Sequence, residues 1–155
     1  GMRATFMPKP FQGLTGNGMH AHISVWSNDG KTNAFADPSN ELGLSKQGYS
    51  FLGGIMKHGS ALAAICNPTV NSYKRINAPR TSSGSTWAPN TLTWTGDNRT
   101  HMVRVPGPGR FELRLPDGAV NPYLLNAVIL AAGLDGIPPR EDNMIWFIQL
   151  GGRLS

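Results

Sequence analysis

The chain has 155 residues, and 14 Lys and Arg stand against 9 Asp and Glu for a formal net charge of +5. That length holds one domain with a real core, and 39% apolar with 15% charged residues is the make-up of an ordinary folded protein, which excludes disorder. No apolar run approaches the roughly 18 residues of a membrane span, and the first residues lack the order of a signal peptide, so no membrane association and a cytoplasmic location are expected.

A positive balance invites a nucleic-acid reading, which requires clustered Lys and Arg with stacking aromatics. Here the cations are scattered, and several fall inside strand patterns. A small anionic ligand explains them better, and no nucleic-acid partner is expected. The single cysteine, Cys66, cannot form an internal disulfide and lies in the apolar stretch 61–66. It reads as a buried thiol in a reducing compartment.

Along the chain, the first informative segment is Gly16-Asn17-Gly18-Met19-His20-Ala21-His22-Ile23-Ser24. A glycine turn feeds a strand predicted over residues 20–26, with His20, His22, Ser24 and Trp26 on one face and Ala21, Ile23 and Val25 on the other. Such a turn offers N–H groups to an anion, and the imidazoles suit a metal or a phosphate. Taken alone the pair of histidines is better read as ordinary surface or core residues.

Residues 45–66 carry apolar positions near helical spacing, which predicts one helix with Ser45 as N-cap and Asn67-Pro68 as its stop. The segment Asn67-Pro68-Thr69-Val70-Asn71-Ser72-Tyr73-Lys74-Arg75 follows, polar and bearing two cations. It leads into residues 77–90, which are rich in Pro, Ser, Thr and Gly and read as a long mobile loop of the kind that is commonly functional. That placement suits a substrate held beneath a lid, although a solvated helix-to-loop connection is the plainer reading.

Residues 91–95 give a weak strand pattern, and residues 100–105 a strand expected to pair with 110–115. The latter alternates sharply, with Phe111, Leu113 and Leu115 facing one way and Arg110, Glu112 and Arg114 the other. Three charges on one strand face must look into water or into a polar cleft. If His20 and His22 line the same cleft, a carboxylate and imidazoles make a divalent-metal site and the arginines become clamps for carboxylate and phosphate. That combination is equipment for phosphoryl transfer, which rests on positioning and charge neutralisation. A further helix is signalled by Asn121 as cap, Pro122 at the first helical position and an apolar body over 123–134. Residues 138–155 show neither a stop nor an amphipathic pattern and read as a poorly specified tail after a domain of residues 1–137.

Phe6-Met7-Pro8-Lys9-Pro10, the Gly18-Met19-His20-Ala21-His22 segment, Asn67 through Arg75, Asp97-Asn98-Arg99, Phe111-Glu112-Leu113-Arg114-Leu115-Pro116-Asp117 and Asn121-Pro122-Tyr123-Leu124 follow one another in an order and at spacings that resemble the glutamine synthetases. Ordered motifs over most of the chain are far more specific than any one of them. The resemblance implies an α+β fold, an antiparallel and partly closed sheet with helices on its outer face, and places the chain in the C-terminal part of the catalytic domain. It implies that His20 and Glu112 bind the metal, Mg2+ or Mn2+, that bridges the phosphates of ATP. His22 and Ser24 would contact ATP, Gly16 the glutamate backbone, and Arg75 and Arg114 the glutamate carboxylates. Arg99 and Arg104 would meet the ATP phosphates, with Arg99 also reaching glutamate and the transferring group, and Arg110 lies on the phosphate side.

The implied reaction is two-step: ATP phosphorylates the glutamate side chain, and ammonia displaces the phosphate. Family members form homo-oligomers whose active sites are shared between subunits. Their small N-terminal domain and upstream acidic residues have no counterpart here, so this polypeptide alone is expected not to complete the reaction. Ammonia-using members carry a glutamate before an Ala-Pro pair in the loop; here Trp87 precedes Ala88-Pro89, and no Asp or Glu occurs between Glu41 and Asp97. An indole suits an alkylamine, as in the methylamide-forming members, because it offers an apolar wall and a cation-facing ring. Thr15 replaces a glutamate-binding asparagine, and the turn Pro106-Gly107-Pro108-Gly109 lacks a lysine found near ATP in relatives. The rival readings are a catalytically inactive nucleotide- or amine-binding regulator and a basic nucleic-acid module; a cupin-type oxygenase lacks its expected glutamate.

Overall fold

A computed structural model describes residues 1–79 and 87–138 together with the backbone of residues 148–151. Five strands form one sheet in the order β2-β3-β4-β1-β5. They are β1 (His20–Ile23), β2 (Trp94–Thr95), β3 (Val103–Gly107), β4 (Arg110–Leu113) and β5 (Ile148–Gly151). β1 is antiparallel to β4 and β5, and β3 to β4, but β2 runs parallel to β3. The sheet is therefore mixed, which corrects the strictly antiparallel expectation. The parallel pair arises because the chain leaves β2, turns through residues 96–102 and re-enters beside it in the same sense. Most of the expected tail lies outside the described residues, though β5 within it pairs with β1.

The alternations predicted for the strands hold. Ala21, Ile23 and Val25 are buried while His20, His22 and Ser24 are partly open, and Trp26 lies beyond β1 in an isolated bridge to Asn33. β3 starts at Val103 rather than at residue 100. The apolar sheet face meets α1 (Lys46–Lys57) and α4 (Pro122–Asp135), and its centre is a triangle of Phe35, Phe51 and Phe111 with ring centroids 5.3 to 5.9 Å apart.

The helix expected over residues 45–66 is two helices. Ser45 caps α1 as predicted, its hydroxyl accepting from Gly48 N at 3.1 Å. His58 then leaves the helical region (φ −97°, ψ 6°), and α2 (Gly59–Cys66) begins after it. Tertiary contact fixes the break: His58 Nε2 and Lys57 Nζ both reach Asp135 at the end of α4, at 2.9 and 2.7 Å, and a side chain at Gly59 would strike Leu92. The polar segment after α2 is likewise not a simple connection. Residues Val70–Ile76 form α3, begun by a capping box in which the Thr69 and Ser72 side chains satisfy each other's backbone N–H. α4 follows its prediction, with the Asn121 side chain accepting from Tyr123 N and Leu124 N behind Pro122. Among the described residues no helix is long and apolar enough to cross a membrane.

α1 crosses α4 closely enough that a Cβ on Gly54 would lie 2.1 Å from the Ala132 carbonyl oxygen, while one on Gly53 would meet nothing within 4 Å. Alanine raises helix propensity at both sites by up to about 1 kcal/mol, but a backbone carbonyl cannot swing away. Urea denaturation should therefore show Gly54→Ala destabilised by about 1–3 kcal/mol and Gly53→Ala neutral or stabilised. Cys66 is fully buried, and burial together with the nearby Asp117 charge pushes its thiol up to about 12. Because the thiolate is the reactive form, a thiol reagent at pH 8 should leave Cys66 unmodified in the folded protein and label it at once in denaturant; rapid labelling of the native protein would contradict this packing.

Candidate active site

The polar face of the sheet carries a row of side chains set by register. In β4, Glu112 lies opposite His22 of β1 on one side and Arg104 of β3 on the other. Its side chain is only 4% exposed, and the charges around it are the reason that it remains a carboxylate there. Arg104 Nε donates to Oε2 at 2.5 Å and Arg114 Nη1 to Oε1 at 3.1 Å; His20 Nδ1 lies 2.9 Å from Oε1 and His22 Nε2 at 3.7 Å. Burial alone would raise the Glu112 pKa, but the hydrogen bonds from His20 and Arg104 and the charge of Arg114 outweigh it, so the carboxyl sits well below the usual range.

The two histidines have distinct settings. His20 Nδ1 lies against Glu112 and is also 3.4 Å from Arg114 Nη1, while Nε2 has no hydrogen bond among the described residues. Burial pushes the His22 pKa down, and the Arg110 and Arg104 charges add to this against the opposing pull of Glu112. His22 is thus a neutral imidazole near pH 7, and Arg110 Nη1 lies 3.5 Å from its Nδ1. The Ser24 hydroxyl, on the same strand face, accepts from Trp26 Nε1 at 3.1 Å.

The arginines divide by burial. Arg114 is buried, and its Nε donates to the Arg99 carbonyl at 3.0 Å, which docks the turn after β2 against the sheet. The Arg99 side chain itself is exposed. Arg104 is bound at its other end by Asp97, whose carboxylate accepts from Nη1.

Gly16 and Arg75 belong to a second cluster, adjoining the first through Leu115 and Arg114. Arg75 lies along the inside of α3 at 6% exposure, and its Nη1 donates to the Leu115 carbonyl at 3.3 Å. Burial lowers its pKa to about 10 against the opposing attraction of Asp117, and Arg114 adds to the lowering. The guanidinium passes so close to the glycine turn that a Cβ on Gly18 would be 2.6 Å from Nη2. The tighter crossing is at Gly16, whose Cβ would lie 2.2 Å from the Pro8 carbonyl oxygen, and the bridge of Gly18 to Asp117 ties the turn to the segment after β4.

Several residues that build this neighbourhood had no assigned role in the sequence. Asp117 is fully buried and accepts from Asn67 Nδ2 at 3.0 Å and from Ala119 N at 3.0 Å. Asn71 clasps the backbone of Lys9 in both directions, at 2.6 and 2.9 Å, and Lys9 Nζ donates to the Leu14 carbonyl. The signal for α3 was present in Thr69-Val70-Asn71-Ser72, a capping sequence after a proline. Asp97 stood in a quoted motif, but its pairing with Arg104 depends on how the turn folds back.

Imidazole and carboxylate donors suit a hard-to-borderline divalent cation. Among the described residues no three His, Cys, Asp or Glu side chains enclose an ion, so the donors fit a partial shell. A magnesium ion bound by few protein groups together with phosphate and water is consistent with such a set. Glu112 also holds His20 in the manner of a carboxylate that orients a ligating imidazole.

Relatives of known type share this stretch. A glutamine synthetase of Rhizobium leguminosarum bv. phaseoli is 78% identical over 142 residues, which is 92% of this chain and 33% of that protein. The glutamate–methylamine ligase of Methyloversatilis universalis is 48% identical over 96% of this chain and 35% of its own length. Among solved structures, a GmaS/ADP complex superposes with a TM-score of 0.78 at 63% identity, covering 86% of this chain and 31% of that one. The chain thus spans about a third of the length of the relatives it matches. The family profile described as glutamine synthetase, catalytic domain, matches residues 1–144, and with the fold and the charged row around Glu112 already in place, the chain belongs to the glutamine synthetase family.

Proposed function

We propose that the full-length protein carrying this chain is an ATP-dependent ligase that forms the γ-amide of glutamate from ammonia through γ-glutamyl phosphate. The observation that carries the reading is one ionised Glu112 on the polar sheet face, held by Arg104, Arg114 and His20 with His22 at 3.7 Å, and with Arg110 beside His22. A carboxylate is a poor electrophile, and its phosphorylation needs neighbouring cations to absorb the charge that builds up on the moving phosphoryl group. In this reading Arg104 and Arg110 face the phosphates of ATP with His22 and Ser24, and Arg99 reaches both ATP and glutamate as the catalytic cation. Gly16, Arg75 and Arg114 serve glutamate; Arg75, buried beneath Gly18, acts on the shape of the turn that carries Gly16.

His20 and Glu112 would hold Mg2+ or Mn2+. When bound, that ion supplies charge neutralisation at the ATP phosphates. Glu112 keeps the imidazole oriented and the arginines in register. A homo-oligomer with shared sites accords with a chain that supplies a partial metal shell, and a cytoplasmic setting accords with an unpaired buried thiol.

A second reading keeps the chemistry and changes the acceptor to methylamine. Trp87, half exposed at the edge of the loop, favours it, as does the similarity to a glutamate–methylamine ligase. The 78% identical glutamine synthetase favours ammonia.

Phosphate release by the full-length protein should require ATP, glutamate and ammonia, and should fall by about 10²–10³ in Arg99→Ala and vanish in Glu112→Ala; ATP binding without turnover would instead make the protein a nucleotide-binding regulator. Measured side by side, Trp87→Glu should shift the ratio of kcat/KM values toward ammonia and away from methylamine, since a carboxylate binds ammonium and an indole wall favours the methyl group. An unchanged ratio would remove Trp87 from acceptor choice.

A further inference from the structure

Asp97 is an exposed carboxylate beside the cations that surround the buried Glu112. It follows β2 in the turn that carries Arg99, and its side chain is 71% exposed where that of Arg104 is 12%. Its oxygen Oδ1 takes the Nη1 end of Arg104, while Glu112 Oε2 takes Nε at 2.5 Å. Two of the three guanidinium nitrogens are therefore fixed by carboxylates, and Nη2 has no hydrogen bond among the described residues. The same turn is fastened from its other end, where Arg114 Nε donates to the Arg99 carbonyl. Within the turn, Asn98 Oδ1 accepts from Thr100 N at 3.0 Å and from its hydroxyl at 2.9 Å.

A guanidinium is flat, and fixing it at two nitrogens leaves one orientation for the remaining edge. We propose that Asp97 is a positioning residue for ATP: with Glu112 it fixes Arg104 so that Nη2 is presented to a phosphate, and it holds the Arg99 turn at the same edge of the site. The inference rests on the reading of this face as the ATP site. It assigns Asp97 no contact with substrate. Its negative charge is offset by the Nη1 end of Arg104, which leaves Nη2 for the phosphate.

The test uses the full-length protein with Asp97→Ala, Asp97→Glu and, for comparison, Arg104→Ala. Steady-state KM values for ATP and glutamate, kcat, and the Kd for ATP by calorimetry are measured at low and at high salt. Asp97→Ala should raise the KM and Kd for ATP about threefold to fivefold, the range of a partly exposed ion pair, with kcat and the glutamate KM within twofold. Asp97→Glu should restore ATP binding to within twofold of wild type, which a loss of folding would not allow. The difference between wild type and Asp97→Ala should shrink as salt screens the pair.

An ATP Kd that does not change overturns the proposal, and one that falls overturns it in a different way, by showing that Asp97 competes with phosphate for Arg104. A tenfold loss of kcat at unchanged KM also overturns it, because Asp97 would then act in the chemistry. If wild type binds ATP but forms no amide, the ligase reading fails and the Kd comparison still decides Asp97. A wild-type protein that does not bind ATP overturns both.

Discussion

The buried carboxylate of Glu112 is the constraint around which the rest of the site is arranged. An ionised group with 4% of its side chain exposed is stable only where opposite charges and donors replace water. Arg104, Arg114 and His20 do so from three directions, and each belongs to a different segment of the chain. Removing one partner of a buried ion pair generally costs about 3–5 kcal/mol, so the geometry of the three strands and the chemistry of their polar face are coupled. A change in register by one residue would turn Glu112 into the aromatic core and Phe111 or Leu113 into the cleft.

Behind this row, the second cluster explains why so many polar groups lie inside the protein. Asp117 compensates Arg75, Asn67 bridges Asp117 to the Leu115 carbonyl, and the Cys66 carbonyl accepts from Asp117 N at 3.2 Å. The end of α2, the last turn of α3, the glycine turn and the segment after β4 thus meet at one junction. Such a junction lets a flexible Gly16-Asn17-Gly18 turn keep a fixed shape: Asn17 N donates to the Pro8 carbonyl at 2.9 Å and Arg75 fills the space beneath Gly18. Rigid support behind a glycine-rich turn is what a binding site on a loop requires.

The helices serve the site at a distance. α1 and α4 cover the apolar face of the sheet, and their close crossing at Gly54 and Ala132 fixes the layer against which Phe111 packs. Phe111 and Glu112 are neighbours in β4 with opposite faces, so what seats one ring among Phe35 and Phe51 also aims the adjacent carboxylate.

Local signals settled much of this in the sequence. A period of two assigned the faces of β1 and β4, because alternation needs no knowledge of neighbours, and the caps Ser45 and Asn121 announced their helices through chemistry confined to one turn. The ordered motifs pointed to the family and to most of the charged row. What the sequence left open depends on contacts between distant segments. The break at His58 follows from Asp135, 77 residues away, and the pairing of β2 beside β3 follows from a turn whose ends are tied by Arg104 and Arg114. The burial of Arg75 and the partnership of Asp97 with Arg104 likewise arise only when the strands are side by side, since a charge reveals its partner through space and not through its position in the chain.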